Sequence, residues 1–226
     1  KVYCNGFAKL PVGKVRYGLM LREDGIVMDD GTTARMSENH FIMTTTTVNA
    51  ESVYRHLEFC HQCLWPEMDV HLISTTDAWA QIAIAGPKSR KIISKIVDKQ
   101  FDVSNKNFPF MACKEITICG GVLARLFRIS FSGELAYELS IPTQYASSLV
   151  SYLMEIGKDE NIIPYGTEAL GVMRIEKGHA AGAELNGTIS ALNLNMGKIV
   201  SNKKDSIGMV LSKREGLNTL DGLRLV

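Results

Sequence analysis

The chain has 226 residues, 46% of them hydrophobic and 22% charged, with a formal net charge of +1. A chain of this size and balance can bury a sizeable core without disulfide staples. So small a net charge builds no field for nucleic acid or an acidic membrane surface, and no apolar run reaches the length of a membrane-spanning helix.

In chain order, the apolar and aromatic stretch 15–21 predicts a strand, and Glu23-Asp24-Gly25 carries a hairpin turn signature. The strand resumes over 26–28, is interrupted at Asp29-Asp30-Gly31, and continues over 32–36. After a polar turn at 37–39, the β-branched stretch 41–46 predicts another strand. Residues 50–64 read as an amphipathic helix with Val53, Leu57, Cys60 and Leu64 on one face, ended by Pro66. Strands are predicted over 70–75 and 78–85, and a helix over 89–98 with Ile92, Ile93, Ile96 and Val97 inward. Strands follow over 116–119, 122–130 and 136–141, then helices over 145–156 and 167–176. Beyond Gly178 the chain is small, polar and loose. Strands and helices mix without steady alternation, which predicts an α+β architecture.

Three segments could carry chemistry. Asp29 and Asp30 are adjacent on a strand and point to opposite faces, so one can face water while the other enters a cavity. The plain alternative is a polar turn before Gly31. In FSGELAYE (131–138), Gly133 permits a tight turn, and Glu138 lies in an otherwise apolar strand, either facing solvent or paired inside. In the helix beginning at Thr167, Arg174 and Glu176 sit in the last turn before Gly178, where Arg174 and Lys177 also complement the helix dipole. Cys60-His61-Gln62-Cys63 lacks the second ligand pair of a structural zinc site, so no metal is expected. No glycine-rich nucleotide fingerprint is present, so no flavin site is expected in this chain. Five cysteines, an odd count without a secretory signal, predict reduced thiols and a cytoplasmic protein. Both ends read as cut, in an apparent helix at 1–4 and an apparent new strand at 221–226. The expectation is one region over 1–226 within a longer polypeptide.

Taken in order, GIVMDD (25–30), FSGELAYE (131–138) and residues 165–178 resemble the aminomethyltransferase family, the T-protein of the glycine cleavage system and its relatives. Within that family, VGKVRYGLM (12–20), MDDGTTAR (28–35), PYGTEALGVMRIEKGHAAGAEL (164–185) and the SNKKD segment (201–205) look most like the carboxy-terminal half of sarcosine oxidase alpha subunits. Glycine cleavage T-proteins, dimethylglycine oxidases and dehydrogenases, and a folate-binding module without catalysis remain alternatives.

The resemblance implies a T-protein-like folate-binding fold, here without the family's first stretch and final small barrel. It implies tetrahydrofolate as the cofactor and a flavin held by a partner subunit, the beta subunit of a sarcosine oxidase. Carried over by position, Asp30 is the catalytic carboxylate near the reacting folate nitrogens. Glu138 binds the pteridine edge, Arg174 lines the folate pocket or its carboxylate end, and Phe131 and Asp29 belong to the same cofactor site. Phe131 stands where T-proteins usually have tyrosine, and Thr46 where many have asparagine. A carboxylate accepts the pteridine's neighbouring ring N–H and exocyclic amine in a forked pair, which suits a glutamate in an apolar strand.

Overall fold

The computed structural model describes residues 1–217, so the strand expected at 221–226 lies outside the described residues. Two antiparallel sheets form the frame. β1 (Lys14–Leu21), β2 (Val27–Arg35) and β3 (Phe41–Met43) make the first, in that order. The expected hairpin closes at Gly25, whose φ of +86° is open to a residue without a Cβ. Asp24 Oδ1 accepts the Ile26 N–H at 3.0 Å and stiffens the turn.

β2 departs from the sequence reading, because it runs unbroken through Asp29-Asp30-Gly31. Gly31 serves close approach and not a turn. A Cβ there would stand 1.9 Å from the Thr44 carbonyl oxygen, so only glycine lets the chain after β3 press onto β2. That chain leaves the sheet at Met43, three residues earlier than the β-branched run suggests. The register also slips: Met20 pairs with Asp29 while Leu21 pairs with Val27, leaving Met28 as a one-residue bulge.

β4 (Trp79–Ala85), β5 (Cys113–Ile118), β6 (Val122–Phe127) and β7 (Ala136–Pro142) form the second sheet in the order β4-β7-β6-β5. One face carries Ile116, Leu126, Tyr137 and Leu139 against Ile92, Ile93 and Ile96 of α2 (Ser89–Ile96) and Leu149 and Leu153 of α3 (Ala146–Ile156). Full burial of each large aliphatic side chain is worth about 1.5–3 kcal/mol, so this face is the main core. The other face turns toward the first sheet, where Cys113 and Phe127 pack with Val15 and Ala34. Backbone bonds lock the seam, Val15 N–H to Met111 O at 2.8 Å and Cys113 N–H to Gly13 O at 2.9 Å.

α1 (Ala50–Phe59) covers one face of the first sheet through Val53, which packs with Tyr3 and Met20. Its last turn widens over Cys60–Leu64, where the Trp65 N–H reaches back to Cys60 O, and this turns Leu64 outward from the face expected of it. The opposite face, Leu19, Leu21 and Val27, is covered by Ala180, Leu185 and Ala191 from the loose segment after α4 (Thr167–Lys177). The strand expected over 70–75 does not form. Val70 and Ile73 are exposed, and β-propensity without a partner strand does not hold an extended chain in a sheet. The helices and strands together give the α+β architecture read from the sequence. Among the described residues no helix is long and apolar enough to cross a membrane.

Candidate functional site

Asp29 and Asp30 face opposite sides of β2, as alternation requires. Asp29 points toward α1 and has no exposed surface. Its Oδ2 accepts the Thr46 N–H at 3.1 Å and its Oδ1 the Asn49 side-chain N–H at 3.0 Å. Both oxygens therefore serve the turn that leads into α1. Asp30 points the other way, half-buried, with Oδ2 accepting the Tyr17 hydroxyl at 2.7 Å and Oδ1 the Thr46 hydroxyl at 3.4 Å. Burial raises the pKa of Asp30, the Tyr17 hydrogen bond opposes the rise, and the Asp29 charge adds to it. Burial, with the Asp30 charge behind it, raises the Tyr17 phenol as well, so the phenol stays protonated and donates. Met196 Sδ lies 3.5 Å from the same hydroxyl.

Glu138 sits in β7 with Ala83 of β4 opposite on one side and Phe127 of β6 on the other. The small alanine leaves that flank open and the phenylalanine walls the second. Burial between these apolar neighbours pushes the Glu138 carboxyl up to about 7. Among the described residues the donor to this carboxylate is the Gln81 amide, which reaches Oε2. Oε1 keeps its acceptor capacity, and Oε2 keeps a second lone pair beside the Gln81 amide. Tyr165, ahead of α4, has its pKa raised by burial and then by the Glu138 charge.

A third cluster borders the Asp30 site through Thr46. Phe131 stacks on His179 with centroids 5.7 Å apart and planes 19° from parallel. Burial lowers the His179 pKa, and Lys177 adds to this, so the ring is neutral at pH 7. The 131–134 turn rests on the end of α4, since a Cβ on Gly133 would come 2.9 Å from Lys177 Cδ. Arg174 Nη1 donates to Glu184 Oε2 at 2.8 Å and to the His179 carbonyl at 3.2 Å. The Ala181 N–H donates to the same Glu184 oxygen at 2.7 Å. The guanidinium thus clamps the loop over 179–184, and Gly182 of that loop lies against Thr46, its built Cβ 3.6 Å from Thr46 Cγ2.

The fold therefore joins Asp30 to Thr46, and Thr46 through the clamped loop to Arg174, His179 and Phe131. Glu138 stands on the other sheet with Gln81. Tyr17, Gln81, His179 and Tyr165 are additions to the residues read from sequence. Tyr17 pairs with Thr32 across the hairpin, one diagonal step from Asp30, so counting back from the Asp24-Gly25 turn would have found it apart from the bulge at Met28. Of the two helix cysteines, Cys60 is buried with Sγ 3.6 Å from His56 Nε2, while Cys63 faces out.

The model of the GCVT N-terminal domain family matches residues 1–204. The chain is 58% identical over its full length to the sarcosine oxidase subunit alpha of Rhizobium meliloti (strain 1021), of which it covers 23%. It is 43% identical over 95% of its length to that of Corynebacterium sp. (strain P-1), covering 22%. An aminomethyltransferase of Lysinibacillus sphaericus (strain C3-41) is 31% identical over 98% of the chain, and 60% of that protein is covered. The chain thus spans about a quarter of the length of the sarcosine oxidase relatives it matches. In fold, the glycine cleavage system aminomethyltransferase T of Bartonella henselae superposes over 93% of the chain and 55% of that protein, with a TM-score of 0.77 at 19% identity. With a family model matched over most of its length and the fold to go with it, the chain belongs to the GCVT N-terminal domain family of aminomethyltransferase-like proteins.

Proposed function

We propose that residues 1–226 form the folate-binding region of a cytoplasmic sarcosine oxidase alpha subunit, where the imine from sarcosine oxidation is captured as 5,10-methylenetetrahydrofolate. The flavin that performs the oxidation belongs to a partner beta subunit. The observation that carries this reading is the half-buried Asp30 carboxylate, held by two hydroxyls and left with acceptor capacity at Oδ1. The higher identity to sarcosine oxidase alpha subunits than to aminomethyltransferases supports the choice among relatives.

Tetrahydrofolate, when bound, supplies the nitrogen nucleophiles that take up the carbon. Glu138 accepts the pteridine's two neighbouring N–H groups and fixes the ring, and the Phe131–His179 stack offers it an apolar wall. Asp30 stabilises the iminium charge and takes up the proton released as the new C–N bond forms. Tyr17 occupies Oδ2 at the shorter distance, so Oδ1 is the atom that receives this proton. Asp29 acts one step back: it fixes Thr46, which in turn meets Asp30. Arg174 likewise acts through the 179–184 loop that it clamps.

The test is turnover of sarcosine by the assembled native enzyme with tetrahydrofolate present. Asp30→Asn should leave amine oxidation and folate binding intact while formaldehyde replaces methylenetetrahydrofolate as the one-carbon product, since uncaptured imine hydrolyses. Undiminished methylenetetrahydrofolate in that variant would overturn the reading.

A further inference from the structure

A polar row crosses the face of the second sheet that carries Glu138. Gln81 of β4 pairs with Ser140 of β7, and Ala83 pairs with Glu138. Gln81 is therefore the diagonal neighbour of Glu138 on one face, within reach of a long side chain. Its amide nitrogen donates to Glu138 Oε2, and its Oε1 lies 3.2 Å from the Ser140 hydroxyl. An ionised carboxylate only accepts, so the Gln81 amide must turn its NH2 toward Glu138 and its oxygen toward Ser140. Ser140 is buried and then donates. Each member of the row is left with one hydrogen-bonding arrangement.

We propose that Gln81 is a positioning residue of the Glu138 subsite, donating to one carboxylate oxygen so that the carboxylate is held with acceptor capacity on both oxygens toward the N–H edge of a reduced pteridine. This rests on Glu138 being the pteridine contact. The need for such a device follows from the surroundings. Ala83 and Phe127 give the carboxylate no polar support, and without a donor it would both rotate and take up a proton. The charged and titratable groups near it are Arg125 of β6, already paired with Glu115 of β5 and stacked over Trp79 of β4, and Tyr165 ahead of α4. The Tyr165 phenol is raised further above its ordinary value, so it does not change charge near neutral pH. Glu138, pushed up to about 7, does. A donor aimed at its charged form favours ionisation, and its loss sends the carboxyl higher still.

The experiment is a pH series on the native protein, with 5-formyltetrahydrofolate as the binding probe and the side-chain carboxyl of ¹³C-labelled Glu138 followed by NMR without ligand. In Gln81→Leu, the Glu138 titration and the midpoint of probe binding should both move up by about one pH unit. Affinity at pH 7 should fall roughly five- to tenfold and largely recover at pH 9. Ser140→Ala, which frees the amide to turn, should give a smaller shift of the same sign. An unmoved Glu138 titration in Gln81→Leu, or an affinity loss equal at every pH, would show that Gln81 only packs and would overturn the proposal. Glu138→Gln separates the two levels of failure. If it binds the probe as the parent does, the folate reading of Glu138 falls. If it binds weakly while Gln81→Leu behaves as the parent, only the role given to Gln81 falls.

Discussion

At the scale of single residues, the two neighbouring aspartates should separate cleanly. Asp30→Asn keeps the size of the side chain and removes its proton affinity, so methylene transfer should slow by roughly 100- to 10,000-fold with little change in stability. Asp29→Asn sets an amide N–H against a donor, Thr46 N or Asn49 Nδ2, inside a fully buried site. It should lower stability by about 1–3 kcal/mol, seen in urea unfolding, and reach activity only through Thr46. Loss of transfer in Asp29→Asn with a normal Asp30→Asn enzyme would reverse the faces given to this strand. Glu138 carries a cost tied to its proposed role. Burial raises its carboxyl from 4.5 to about 7, so between these values the folded protein holds a proton that the unfolded chain releases. Stability without ligand therefore falls as pH rises through that window, and the penalty is absent below it and complete above it. Glu138→Gln should be more stable than the parent above pH 7, by on the order of 1–3 kcal/mol, and equal to it near pH 4.5. The same variant should bind folate more weakly by about 1.5–3 kcal/mol. Equal stability of the two proteins at both pH values would place Glu138 in open solvent.

At the scale of elements, Gly31 decides whether β2 and the Thr44–Thr46 chain can touch. Gly31→Ala drives a Cβ into the Thr44 carbonyl, and backbone cannot swing aside as a side chain can. The expected result is destabilisation by roughly 1–3 kcal/mol together with weakened transfer, because Thr46 leaves both aspartates at once. Unchanged melting temperature and turnover would refute that coupling. The same glycine explains a misreading. Asp-Asp-Gly has turn composition, but glycine's missing side chain is used here for contact between backbones, which composition does not distinguish. Helices α1, α2 and α3 were legible because their apolar positions recur at helical spacing, and Gly178 marked the end of α4 through its left-handed φ of +82°. The stretch 70–75 was misread because, among the described residues, its β-branched side chains have no partner strand. As candidates, Asp30 and Glu138 stood out through the family motifs, and Glu138 also as a carboxylate out of place in an apolar strand. Gln81 did not, since 57 positions separate it from Glu138 and only the β4–β7 pairing brings them together.

At the scale of the whole molecule, the proposed site draws on both sheets, Asp30 from the first and Glu138 from the second. A folate that engages both should bind the folded state alone. At 100 times its Kd it should add about 2.7 kcal/mol to stability. For a chain of this size that is roughly 5–10 °C in melting temperature, readable by calorimetry on the native protein. Glu138→Gln at the same folate concentration should lose most of the increase. No increase in the parent would deny the region a folate site. The seam between the sheets, Cys113 and Phe127 against Val15 and Ala34, fixes how the two carboxylates stand to one another, so Phe127→Ala should weaken folate binding from a position in the wall. The Thr46 N–H bond to Asp29 has a consequence of another kind. An amide whose acceptor is a carboxylate with no exposed surface trades its hydrogen for deuterium only when the segment lifts off β2. The exchange lifetime of that single amide is thus a built-in gauge of how often the segment carrying Thr46 parts from β2, legible by NMR on ¹⁵N-labelled protein without a ligand or turnover.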